Sequence, residues 1–118
     1  MTTSAEFLQS IVFNSDGLIP VIAQDAETKE VLMLAWMNAE ALQLSIETGR
    51  GTYYSRSRSR LWIKGEESGN TQQVVDIRHD CDSDALLMTV HQHGPACHTG
   101  ANTCFFTTLK VTSSRGES

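Results

Sequence analysis

Five consecutive residues, Asp80-Cys81-Asp82-Ser83-Asp84, bring three carboxylates and a thiol together. Like charges about 5 Å apart repel by roughly 3 kcal/mol at an effective dielectric of about 20, so such a cluster calls for a compensating cation. Hard oxygen ligands at alternate positions suit Mg²⁺. If the segment is extended, alternation turns Asp80, Asp82 and Asp84 to one face and Cys81 to the other, and one short stretch could serve two metals. A solvated acidic turn is the simpler alternative for the carboxylates. An EF-hand calcium loop is excluded, because that pattern wants Gly at its sixth place and Glu at its twelfth, where this chain has Ala85 and His91.

Cys97 and Cys104 follow, and with Cys81 they are all the cysteines of the chain. Three soft thiolates favour zinc, and three protein ligands leave the fourth tetrahedral position for water, as catalytic sites do. Structural zinc usually has four ligands and a C-x2-C pair, and no such pair exists here. Three inert buried cysteines are the alternative. Three thiolates also leave Zn²⁺ net negative, so its water needs a neighbour to take a proton. His98, within Gly94-Pro95-Ala96-Cys97-His98-Thr99-Gly100, is the natural base. His79, His91 and His93 are weaker candidates, the last two falling on one side of an expected strand.

A second feature is basic. Five of the nine Lys and Arg residues (Arg50, Arg56, Arg58, Arg60 and Lys64) fall between positions 50 and 64 of a chain with formal net charge -5. In a strand, Arg56, Arg58 and Arg60 would share a face, a fork-like array for phosphate oxygens. The alternative is a low-complexity arginine/serine stretch or a solvated edge, against which stand the flanking Tyr53, Tyr54, Leu61 and Trp62. The Gly-punctuated loop Lys64–Asn70 could add backbone N–H groups. An acidic chain with one basic patch fits a small anionic ligand better than a nucleic acid.

These groups must be positioned by a small fold. At 118 residues, 40% of them hydrophobic, the chain suits one domain with a modest core that a dimer would help to bury. Its longest apolar run, Val31 to Met37, is seven residues against the about 20 needed for a membrane span. No secretory pattern opens the sequence and the cysteines are odd in number, so a reducing, cytoplasmic setting is expected. Leu18–Gln24 and Val31–Met37 read as strands of a hairpin, the second apolar on both faces and so expected to be buried on both, with another subunit as a candidate for part of the cover. Asn38–Thr48 reads as the main helix, with Asn38 as N-cap, a Met37–Leu42 staple and Gly49 at its end. Thr52–Arg56, Leu61–Lys64, Gln72–Ile77, Ala85–Gln92 and Phe105–Val111 are further strand candidates. About 1–15 and 112–118 look weakly ordered. The sum is a β-rich, single-domain α+β fold with one main helix.

Tyr54-Ser55-Arg56-Ser57-Arg58, Leu61-Trp62-Ile63-Lys64-Gly65-Glu66, Ser68-Gly69, the Asp80–Asp84 block and Ala96-Cys97-His98-Thr99-Gly100 with Cys104 resemble the phosphoribosyl-AMP cyclohydrolases of histidine biosynthesis, from about Asp16 to Phe106. The resemblance implies a cytoplasmic, intertwined homodimer that hydrolyses the N1–C6 bond of the adenine ring. It implies zinc on Cys81, Cys97 and Cys104, shared across the dimer, Mg²⁺ on Asp80, Asp82 and Asp84, and His98 at the active centre. Substrate contacts are expected from Arg56, Arg58, Trp62, Lys64 and Ser68. Many relatives carry His where Asn70 stands, so no role of that imidazole transfers. No pyrophosphohydrolase domain, fused in some relatives, is expected in a chain of this length.

The chemistry is consistent. Substitution at N1 makes C6 of the purine more electrophilic, and a zinc-activated water adding there opens the ring. Zinc deaminases attack the same carbon, but their H-x-E and P-C-x-x-C signature is absent. Two other readings are a zinc-stapled dimeric binding module without catalysis and a deaminase that would release ammonia.

Overall fold

Strand β1 (Ile19–Asp25) buries every second residue, Ile19, Val21 and Ala23, as a strand packed on one face must. Asp25 closes the hairpin to β2 (Val31–Met37), accepting from the Glu27 and Thr28 N–H groups at 3.0 and 2.8 Å. The computed structural model describes residues 2–112, so the expectation of weak order over 112–118 lies, apart from its first residue, outside the described residues.

Helix α1 (Ser4–Ser10) occupies the stretch expected to be weakly ordered, and the fold therefore has two helices rather than one main helix alone. Its start is a capping box. Thr3 Oγ1 accepts from the Glu6 N–H at 3.2 Å while Glu6 Oε1 accepts from the Thr3 N–H at 3.0 Å. Helix α2 (Ala39–Thr48) is the expected one, with Asn38 Oδ1 accepting from the Ala41 N–H at 2.8 Å. Gly49, at φ 72°, ends it in the left-handed region. Met37 and Leu42, the expected staple, are both fully buried.

Strands β3 (Thr52–Ser55) and β4 (Arg60–Ile63) form a separate two-stranded hairpin. Strands β5 (Gln72–His79) and β6 (Leu86–Gln92) complete a four-stranded sheet in the order β2-β1-β6-β5. The β1–β6 pairing is parallel and sets the first strand beside the last. Leu86, Met88 and Val90 of β6 meet the buried row of β1, and Leu32, Met37, Leu42 and Tyr53 close the core from β2, α2 and β3.

Two expectations are corrected, for Phe105–Val111 and for the arginine run, and that for β2 is met only in part by this chain. Phe105–Val111 forms no strand, and its apolar side chains are exposed, Leu109 by 86%. Within this chain strand β2 leaves Val31 and Leu34 exposed, on the side for which another subunit was the expected cover. Arg56 and Arg58 lie in the β3–β4 turn and only Arg60 is in a strand, so the three share no strand face. A period-two run of Arg and Ser reads alike as strand or turn, and Ser59, at φ 52°, marks the turn.

Candidate active site

The acidic block is the turn between β5 and β6. Ser83 takes φ 63° there, so the extended alternation does not apply. The turn still gathers the three carboxylates, each offering an oxygen within 4.8 Å of the others, the one such His/Cys/Asp/Glu grouping of three among the described residues. Asp80 Oδ1 accepts from the backbone N–H groups of Asp84 and Ala85 at 3.0 and 3.2 Å, which gives that carboxylate a structural task as well. Desolvation pushes Asp80 upward, but these N–H donors and hydrogen bonds with Asp82 and Asp84 hold it below the usual carboxylate range. Asp84 is pushed up to about 6, first by its hydrogen bond with Asp82, then by desolvation and by the charges of Asp82 and Asp80. Mutual repulsion of this kind is what a bound dication would relieve, and a set of exposed oxygen donors fits Mg²⁺.

Cys97 and Cys104 belong to the segment that follows β6. The loop is tight, with Cys97 N–H donating to the Ala101 carbonyl at 3.1 Å and Gly100 N–H to the Cys97 carbonyl at 3.0 Å. Cys104 N–H donates to the Leu32 carbonyl at 2.7 Å, tying the second thiol to β2. The Thr99 hydroxyl donates to Cys97 Sγ at 3.1 Å and is the main cause of that thiol's lowered pKa, with Cys104 and the charge of Lys64 contributing further. Burial, then the neighbouring Cys97, raises Cys104. Two adjacent thiols, one predisposed to ionise, are a donor set that fits zinc.

Cys81 does not join them. It sits in the acidic turn before β6, and β6 alone spans about 20 Å from Leu86 to Gln92. All three thiols are free. His98 stands exposed in the turn beside Cys97.

The basic residues border an open pocket of about 710 Å³, lined by Arg58, Arg60, Trp62, Lys64 and Ser68 among others. Four of the five expected substrate contacts meet there. Arg56 is the exception, its guanidinium lying 4.6 Å above the Trp36 ring beside a neighbouring groove. The pocket touches the thiol loop through Lys64, whose Nζ donates to the Ala96 carbonyl. None of Asp80 to Asp84 lines it. Among the other imidazoles, His79 Nδ1 lies 2.7 Å from the Asp80 carbonyl oxygen and His91 Nδ1 3.8 Å from Glu27. His93 lies beyond the end of β6, beside a groove with Arg50.

One buried feature escaped the sequence reading. The Tyr53 hydroxyl donates to Gln72 Oε1, and Gln72 Nε2 donates to Gln92 Oε1 at 2.9 Å. Gln92 Nε2 in turn reaches the Asn70 carbonyl at 3.3 Å. This chain joins the pocket hairpin to the sheet. Gly51 packs so closely on Gln72 that a Cβ there would collide with its amide. Only the apolar setting of Tyr53 hints at it in sequence.

A basic pocket, a thiol pair and a carboxylate turn on one small α+β domain equip an enzyme for a small anionic substrate. The family model described as phosphoribosyl-AMP cyclohydrolase matches residues 33–106. A phosphoribosyl-AMP cyclohydrolase of Roseobacter denitrificans is 58% identical over 102 residues, covering 86% of this chain and 80% of that protein. One of Bordetella avium is 54% identical over 116 residues, covering 98% and 87%. One of Hyphomonas neptunium is 65% identical over 94 residues, covering 80% and 72%. The chain belongs to the phosphoribosyl-AMP cyclohydrolase family, hydrolases of histidine biosynthesis, and is an enzyme rather than a binding module. No helix among the described residues is long and apolar enough to cross a membrane.

Proposed function

We propose that the chain opens the adenine ring of phosphoribosyl-AMP at N1–C6, in the cytoplasm, as a homodimer whose sites are each built from two copies. Cys97 and Cys104 of one copy and Cys81 of the other would hold zinc, and Asp80, Asp82 and Asp84 would hold Mg²⁺. When bound, zinc would supply Lewis-acid activation of a water. His98, exposed next to Cys97, takes the proton from that water and returns one to the departing ring nitrogen. Arg58, with Lys64 and Ser68, binds phosphate oxygens at the pocket, and Trp62 offers an apolar wall. Arg56, stacked on Trp36 in the neighbouring groove, is the remaining candidate for a phosphate contact. Mg²⁺ held by Asp80, Asp82 and Asp84 would supply a counter-charge for the second phosphate.

The observation that carries this reading is the tie between the basic pocket and the Cys97 loop through Lys64, which sets an anion-binding surface beside a thiol pair. The second copy is supported by the separation of Cys81 from that pair and by the exposed Val31, Leu34, Phe105 and Phe106. Symmetric pairing uses each half-site twice. Incubation with phosphoribosyl-AMP, Zn²⁺ and Mg²⁺ should give the near-ultraviolet change of ring opening without ammonia. No change, or ammonia release, would overturn the reading.

A further inference from the structure

Lys64 is held at both ends. Its backbone N–H donates to the Gly51 carbonyl at 2.9 Å, fixing the exit of β4 to the start of β3. Its Nζ donates to the Ala96 carbonyl, and the ammonium lies 5.9 Å from the Trp62 ring centroid. That carbonyl belongs to the peptide bond leading into Cys97, in a stretch where Ala96 is 1% and Cys97 7% exposed. Arg58 and Arg60, by contrast, are exposed at the same pocket.

We propose that Lys64 is a positioning residue for the thiol centre, clamping the Cys97 peptide to the β3–β4 hairpin and setting a fixed positive charge beside the thiolates. The inference rests on the zinc reading above and goes beyond a phosphate contact. Three thiolates leave a dication net negative, and a compact ammonium nearby offsets that surplus. An ammonium has three donors, so one can hold Ala96 while another faces an anion in the pocket. Groups that orient a metal's ligands typically change its affinity about 10–100-fold when removed.

The test is Co²⁺ titration of the full chain in its native assembly, following the thiolate-to-cobalt charge-transfer band, beside steady-state kinetics. Lys64→Met should weaken Co²⁺ binding by about 10–100-fold, and Lys64→Arg, which keeps the charge, should recover most of it. Lys64→Gln keeps a donor for the Ala96 carbonyl without the charge. It serves if the methionine variant does not fold, with weaker Co²⁺ binding again expected. Wild-type affinity in either uncharged variant, even with a raised KM, would overturn the proposal and leave Lys64 as a substrate contact alone. A wild-type chain lacking the thiolate band would remove the zinc reading itself, and this inference with it.

Discussion

The hydrogen bond and the charge of Asp82 push the Asp84 carboxyl up to about 6, which ties the proposed cation site to pH. Because Asp84 is raised to about 6, it is protonated below that pH, and Mg²⁺ binding there has to expel the proton. Mg²⁺ affinity should therefore fall between about pH 7.5 and 5.5, as calorimetry at the two values would read; a flat profile would separate the carboxylates from the cation. Without metal the sign reverses. Protonation of Asp84 stabilises the turn fully below the ordinary carboxylate range, and that contribution is lost as pH rises through about 6. At the thiols, Cys97→Ser should lower zinc content and abolish turnover, and full activity in chelator-stripped enzyme would refute the metal's role. His98→Ala should keep its zinc and slow the reaction by about 10²–10⁴-fold, an unchanged rate reassigning the proton transfer.

The elements that hold these groups differ in how openly the sequence announces them. The β1–β2 hairpin and α2 are legible because each carries its own local signals: alternation, Asp25 at the turn, Asn38 and Gly49 at the helix ends. Helix α1 carries an equally local one, Thr3 with Glu6, hidden by the polar composition around it. Strands need neighbours, and this is where pattern misleads. Phe105–Val111 is rich in aromatic and β-branched residues but pairs with no strand among the described residues, while the arginine run alternates through a turn. The candidate residues could be picked by type, but the acidic block was expected to be extended and is a turn, because one positive-φ residue, Ser83, leaves no mark in the pattern. The distances between these residues were not legible, because the parallel β1–β6 pairing and the Lys64–Ala96 contact join residues far apart in sequence. The buried Tyr53–Gln72–Gln92 chain fixes the pocket hairpin to the sheet. Tyr53→Phe leaves Gln72 Oε1 without its donor and should cost about 1–3 kcal/mol in denaturant unfolding; no loss would show that the bond adds nothing. On the hairpin itself, Arg58→Ala should raise KM more than it lowers kcat, whereas a pure rate defect would place Arg58 in the transition state.

At the scale of the molecule, the Cys81 turn lies before β6 and the Cys97–Cys104 segment after it, and the proposed centre joins the two across a pair of copies. The uncovered face of β2 and the exposed Phe105 and Phe106 give a second copy apolar surface to bury, which a chain of 118 residues can use. Two inactive variants therefore test the shared site directly. Cys81→Ser and Cys97→Ser subunits, unfolded together and refolded as mixed dimers with Zn²⁺ and Mg²⁺, should regain part of the ring-opening activity, because one of the two sites then receives all three thiols. Mixtures as inactive as either parent, or a Cys81→Ser enzyme that turns over unaided, would contradict a centre completed by the neighbouring copy.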